Sequence, residues 1–288
     1  MDWNLAAQLV IQGLLMGGVY GLIALGLSLI FGVMGVINFA HGPMIVIGMY
    51  VAYWILVLLG IDPYLALPLT ASAMFMLGYA VQSSVVNRVL DFPQAMQVVP
   101  LVSVGLVLEN LALLMWGPAP RRPQTYLGLS SVQMGQISLD VSRLLAFVLA
   151  ILITLAIFCF LKMSDLGKSI RACADNRTGA QVIGLKVDRI NNLAFGLGAA
   201  TTGAAGALLL PLMPVSPYLG HDFTLIAFVI VILGGMGNLV GALLGGLILG
   251  VAESASTLFL PATLKHAVGF GFLIIIMMFR PQGILCEK

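Results

Sequence analysis

Residues 162–189 read KMSDLGKSIRACADNRTGAQVIGLKVDR, the only long polar stretch in the chain. They hold Lys162, Lys168, Arg171, Arg177, Lys186 and Arg189, out of 13 Lys and Arg in 288 residues. Around them the sequence is almost uniformly apolar. The whole chain is 60% hydrophobic and 8% charged, with mean hydropathy +1.09. Soluble domains carry about a quarter charged residues, so this composition cannot clothe a water-facing surface. The apolar runs are continuous rather than alternating, which excludes a β-barrel. At 1.5 Å per residue they are long enough to cross a hydrocarbon core of about 30 Å. The polar stretch is therefore a loop between spans of an all-α polytopic membrane protein.

Working outward from it, apolar regions lie near 6–36, 43–59, 65–86, 99–116, 141–161, 190–210, 223–252 and 264–279. These make eight transmembrane regions, or nine crossings if 223–252 doubles back at LGGMGN. The first region follows MDWNL without a basic stretch, so it reads as a span rather than a cleaved signal. The whole of 1–288 reads as one transmembrane domain, with 162–189 a segment inside it. Short loops rich in Lys and Arg face the cytoplasm, which puts 162–189 inside. Counting spans back places Arg88 inside, the N-terminus outside, and Arg121 and Arg122 outside against the trend. With nine crossings, Arg280 and Lys288 fall inside.

The letters GKS at 167–169 are the tail of a phosphate-binding loop. That loop needs glycine five residues before its lysine's glycine, and position 162 is Lys. The residues before it finish a span, not a strand, so no ATP site is expected here. Asp165 instead caps a helix starting near Gly167, with Ile170, Cys173 and Ala174 on one side. Arg171 and Asp175, four apart, are placed to pair, and Gly184 ends the helix. Two readings remain open: a short amphipathic helix that docks into a cytoplasmic partner, or a solvated loop that sets topology.

Glycines recur every fourth residue at Gly13, Gly17 and Gly21, and again at Gly237, Gly241 and Gly245. Each set lies on one helix face and lets backbones approach closely in lipid. Each adjoins a helix-breaking motif, NFAHGP and LGGMGN. Paired interrupted helices point to a transport pathway. Cys159, Cys173 and Cys286 lack paired spacing and read as free thiols, with no metal site. No basic stretch with interleaved aromatics supports nucleic-acid binding.

LGKSIRACADNRTGAQVIGLKVDRINNLAFGLGAATTGAAGALL (166–209) resembles the cytoplasmic loop and following span of branched-chain amino acid ABC transporter permeases of the LivH type. GVYGLIALGLSLIFGVMGVINFAHG, SVGLVLENLALLMWG, VSPYLG, VILGGMGNLVGALLGGLILGVAE and RPQGIL agree, in family order across nearly the whole chain. The resemblance implies an alternating-access permease subunit in a bacterial plasma membrane. It would work with a second homologous permease, two cytoplasmic ATPases and an extracytoplasmic substrate-binding protein. ATP and Mg would sit on the ATPases, leaving this chain with no cofactor and no enzymatic activity.

On that resemblance the ATPase-coupling residues are Gly167, Arg171, Ala172, Ala174, Asp175, Gly184, Asp188 and Arg189. Asn38, His41 and Gly42 would lie at a helix break near the pathway. His41 would either meet a substrate carboxylate or satisfy freed backbone. Gly234, Gly235 and Gly237 would form the second break. Glu109, Asn110 and Glu253 add polar groups to the spans, where an ionisable side chain costs at least a few kcal/mol. Each acid either serves transport or makes a structural contact. Ser216, Pro217 and Gly220 would meet the binding protein. Pro43 stands where the family often has an acid, Asn87 where glutamate is common and Glu109 where glutamine is common, which leaves room for a substrate other than leucine, isoleucine or valine. Alternatives are a sibling permease for urea, amides or other small metabolites, or an ion-coupled secondary transporter.

Overall fold

A computed structural model describes residues 3–123, 125, 131–134, 137–259, 261, 265–279 and 283–284. The helices are α1 (Trp3–Met34), α2 (His41–Leu59), α3 (Leu67–Ser84), α4 (Gln94–Trp116), α5 (Val141–Met163), α6 (Asp165–Asp175), α7 (Arg177–Val182), α8 (Val187–Leu209), α9 (Leu219–Gly234), α10 (Leu239–Ser256) and α11 (Lys265–Phe279). Among the described residues seven helices are long and apolar enough to cross a membrane, and Leu219–Gly234 and Ala267–Phe279 are shorter apolar helices. The 223–252 region does double back, as α9 and α10 packed on each other. The expected C-terminal Arg280, Cys286 and Lys288 lie outside the described residues.

Helices α1 and α8 form the centre, with 83% and 78% of their apolar windows buried. Hydrophobicity cannot hold helices together in lipid, because the tails are equally apolar; close backbone packing does. The α1 glycines show how. A methyl on Gly17 would lie 2.8 Å from Leu247 Cα, and one on Gly13 would lie 2.8 Å from Val251 Cα. Thus Gly13 and Gly17 receive the antiparallel α10 backbone directly, and Gly21 receives Leu243 of the same helix. The expected glycine row on α10 serves a different neighbour. Gly241 packs on Gly234 and Gly245 on Ile230, both of α9, while Gly246 and Gly250 face α1. Helix α8 carries small residues on several faces and so accepts α1, α2 and α3 together.

Two turns interrupt this packing. Gly35 (φ 68°) ends α1, its amide donating to Phe31 O at 2.7 Å. The chain then re-enters the bundle, Asn38 Oδ1 accepts from Ala40 N at 3.0 Å, and α2 begins at a fully buried His41. Between α9 and α10, Gly235 (φ 100°) and Gly237 (φ 86°) adopt backbone that side chains disfavour. Asn238 Oδ1 accepts from Gly241 N at 2.9 Å and caps α10.

Several boundaries differ from the sequence reading. Helix α4 starts at Gln94, five residues before the apolar region that begins at 99, with Pro100 inside. The loop after α4 carries an antiparallel ribbon, Ser131–Met134 with Ile137–Asp140. At this end of the bundle Arg121 pairs its backbone with Val215, and its guanidinium lies 5.8 Å from the Tyr53 ring centroid and 5.7 Å from that of Trp54. Such contacts offset the cost of a cation near the hydrocarbon. Arg88 sits at the opposite end, beside Asp91, which contacts Arg177 of α7 at 3.4 Å.

Candidate functional site

The polar segment forms two helices, not one. Asn176 leaves helical backbone and its Oδ1 accepts from Gly179 N at 2.8 Å, starting α7 afresh. The cap of α6 is Ser164, whose Oγ accepts from Gly167 N at 2.9 Å. Asp165, expected as the cap, lies in the first turn and pairs with Lys168 at 2.9 Å. That lysine holds the Asp165 carboxyl below its ordinary range. Arg171 does not pair with Asp175; its guanidinium donates to Lys162 O at 3.4 Å. Gly184 (φ 88°) ends the segment as expected.

The apolar side of α6 points inward. Ile170 and Cys173 are buried with Leu29, Leu161, Val187, Ile190 and Ala194 of the spans, and burial pushes the Cys173 thiol up. Ala174, expected on that side, is exposed. Gly167 is pressed against Phe160 and Leu161 backbone, which leaves no room for a side chain. Outward, the segment shows Arg171, Asp175, Arg177, Asp188 and Arg189, with Val182 82% and Ile183 73% exposed just before Gly184. Ala172 is half-buried. The segment is thus riveted to the spans through one face and offers a charged surface with an apolar tip through the other.

Beside α6 opens a cavity of about 1060 Å³, lined by Ser28 and Gly32 of α1, Lys162, Arg171, Asp175, and the turn Gly235, Gly237 and Asn238. The α9–α10 break and the polar segment therefore line one cavity. Gly234, Gly235 and Gly237 stay apart from the break at Asn38, His41 and Gly42, where Gly42 meets α9 at its other end.

There, the starts of α2 and α9 meet inside the bundle. Gly42 N donates to Thr224 Oγ1 at 3.1 Å, and Thr224 Oγ1 donates to Gly220 O at 2.9 Å. Gly42 and Pro43 pack on Gly220, and Phe39 meets Phe228 at 4.9 Å. His41 Nε2 lies 2.8 Å from Ile23 O of α1. This ties the α2 start to the middle of α1. Gly220 and Pro217 are buried, Ser216 is half-buried, and only the neighbouring Tyr218 is widely exposed in VSPYLG.

The two acids, Glu109 within α4 and Glu253 near the end of α10, have different surroundings. Glu253 is buried and its Oε2 accepts from Tyr20 OH at 3.1 Å, joining α10 to α1. Glu109 projects from the edge of α4's buried stripe, next to exposed Asn110. Its Oε2 lies 3.1 Å from His221 Nε2 on α9, with the Glu109 side chain 11% and the His221 side chain 66% exposed. Asp222, the next residue, is exposed too. Asn87, standing where an acid is common, links α3 to α8 through neutral amides: Gln82 Nε2 donates to Asn87 Oδ1, and Asn87 Nδ2 to Asn192 Oδ1, each at 2.9 Å.

Residues 9–278 match the family described as "Branched-chain amino acid transport system / permease component". The chain belongs to this family. It is similar to the high-affinity branched-chain amino acid transport system permease protein LivH of Salmonella typhimurium, with 32% identity over 96% of this chain and 94% of the relative. It is similar to BraD of Pseudomonas aeruginosa, described in the same words, with 33% identity over 96% and 95%. It is also similar to a probable LivH of Methanocaldococcus jannaschii, with 29% identity over 94% and 86%. No solved structure matches.

The permease thus has features its motifs did not reveal. His221 was not singled out in the sequence, because its partner Glu109 is 112 positions away. Thr224 looks like an ordinary helix-interior residue until Gly42 is brought to it. Tyr20 sits between two glycines of a packing row and reads as core.

Proposed function

We propose that this permease forms one half of the translocation pathway of an ATP-driven importer for branched-chain or related small amino acids. It works by alternating access in the bacterial plasma membrane. A second homologous permease supplies the other half, two cytoplasmic ATPases bind ATP and Mg, and an extracytoplasmic binding protein delivers substrate. The observation that carries this reading is the junction of α2 and α9. Two interrupted helices begin inside the bundle and are joined by the Gly42–Thr224 hydrogen bond. Irregular backbone at membrane depth is tolerated only where protein or water satisfies it, and such junctions accompany transport pathways.

The α6–α7 segment is the coupling element. Gly167 lets α6 lie flat on the spans, so motion of the segment is motion of the bundle. Arg171, Ala172, Ala174, Asp175, Gly184, Asp188 and Arg189 shape its outer surface. Val182 and Ile183 supply an apolar knob for a groove on an ATPase. Closure of the ATPases on ATP then shifts the permease between its two states through their difference in affinity. The concentration of Lys and Arg at this end supports a cytoplasmic position. The opposite end, with Ser216 and Arg121, receives the binding protein, and the buried Pro217 and Gly220 shape the loop from beneath.

The test is reconstitution of the chain with a second permease, both ATPases and a binding protein in proteoliposomes. ATP-dependent leucine uptake is expected, and deletion of residues 167–184 should abolish it. Uptake that persists without any ATPase would overturn the importer reading in favour of a secondary transporter.

A further inference from the structure

The cavity of about 1060 Å³ beside α6 has walls of two kinds. One is charged and polar. Lys162 at the end of α5 and Arg171 and Asp175 of α6 line it, all three exposed. Arg171 donates to Lys162 O at 3.4 Å, which draws its guanidinium to the end of α5. Two cations against one carboxylate leave a surplus of one positive charge. The start of α10 lines the same cavity. Asn238 caps Gly241 N there, but the Leu239 and Val240 amides precede the first intrahelical bond, and neither has a partner among the described residues. A helix start with open amides favours an anion. Deeper in stands Ser28, about 9 Å from the Met34 end of α1 by helical rise. It is fully buried, and its Oγ has no hydrogen-bond partner among the described residues. Folded chains rarely leave a buried hydroxyl unmet.

The other wall is apolar, with Leu29, Val33, Phe158 and Leu161. Phe158 belongs to α5, whose apolar window is only 22% buried, so that wall borders the membrane. We propose that the cavity binds the phosphodiester headgroup of an anionic phospholipid from the adjoining leaflet. The phosphate meets Lys162, Arg171 and the first amides of α10. The Ser28 hydroxyl donates to a glycerol ester carbonyl, and the acyl chains leave along α5. A free phosphate would use neither the apolar wall nor a space fit for a drug-sized molecule. Basic pockets between spans recognise lipid headgroups by this chemistry. A headgroup of charge −1, as in phosphatidylglycerol, matches the surplus, whereas zwitterionic phosphatidylethanolamine does not. The bound lipid bridges the polar segment and α10. The site needs only a membrane-spanning chain, so it stands apart from the importer reading above.

The test uses the full-length chain, purified in a nonionic detergent, titrated with phosphatidylglycerol and followed by native mass spectrometry. One lipid per chain should stay bound after all others are stripped. Lys162→Gln together with Arg171→Gln should weaken it about 30-fold, the combined effect of two cations near an anionic headgroup. Both residues are exposed, so the variant should elute like the unmodified chain. Lys168→Gln removes a cation of α6 that does not line the cavity, and should leave the lipid bound as before. Phosphatidylethanolamine should be retained less. Equal weakening by Lys168→Gln would reduce the effect to general surface charge and overturn the site. A double variant that keeps the lipid, or an unmodified chain that retains none, would overturn it too. Displacement of the lipid by inorganic phosphate at matching concentration would overturn the lipid as the source of the anion.

Discussion

Helices α1 and α4 are nearly equal in hydropathy, yet 83% of the apolar window of α1 is buried and only 22% of that of α4. Apolarity therefore says that a helix enters the membrane and nothing about where in the bundle it goes. What separates the two is side-chain size and polarity at a few positions. Helix α1 presents Gly13, Gly17 and Gly21 to α10, a contact no larger residue permits. Helix α4 has Gly105 against the α2 start and otherwise exposes large residues such as Leu106, Leu114 and Met115. It also carries Glu109. One helix contributes the frame; the other contributes a surface and a charge.

That contrast can be broken by substitution. The largest effect is expected for Gly17→Val. Overfilling a packed interior costs about 1–3 kcal/mol for small insertions, and here the obstacle is backbone, which cannot rotate away. Folded protein recovered from membranes should fall sharply, whereas Val107→Leu on the exposed face of α4 should leave it within about 0.5 kcal/mol. Equal loss in both would refute the division. Next, Val182→Asp together with Ile183→Asp should lower ATP-dependent uptake by about 30-fold, the scale of a buried interface anchor of 2 kcal/mol. The melting temperature of the isolated chain should hold, since these side chains touch little else.

Glu109→Gln sharpens the comparison from the other side. Uptake is expected to fall about tenfold, or about 1.4 kcal/mol, with thermal stability unchanged. A large stability loss with normal uptake would make Glu109 part of the frame instead. The smallest effect belongs to Asn176→Ala. Losing this cap costs about 1 kcal/mol, confined to α7, and should appear as faster amide exchange over residues 177–182 with α6 unaffected.

Much of the bundle was legible in the sequence because spans are written as long apolar runs and turns as glycine with polar neighbours. The split of 223–252 at Gly235 and Gly237 was readable for that reason. The break at Asn176 was not, because Asn interrupts a helix only when its side chain can cap the next one, and RACADNRTGAQ is equally compatible with one continuous helix. Partner choice was hidden too. Gly237, Gly241 and Gly245 share a spacing, but periodicity cannot say that α9 meets Gly241 and Gly245 while α1 meets Gly237, Gly246 and Gly250. Of the candidate pathway, the breaks were visible from NFAHGP and LGGMGN. That α2's break meets the far end of α9, rather than its glycine turn, depends on tertiary packing that no local motif encodes. The Glu109–His221 contact was invisible for the same reason.

The pairing of α1 with α10 also bears on how the protein is made. Helix α1 leaves the ribosome more than two hundred residues ahead of its main neighbour, α10. At synthesis rates of about 5–20 residues per second, α1 waits in the bilayer for tens of seconds with its glycine face uncovered. Its backbone is already satisfied within the helix, so the wait costs little in hydrogen bonding. It does leave the central seam open to wrong partners, and the permease can close this frame only once α10 has been made.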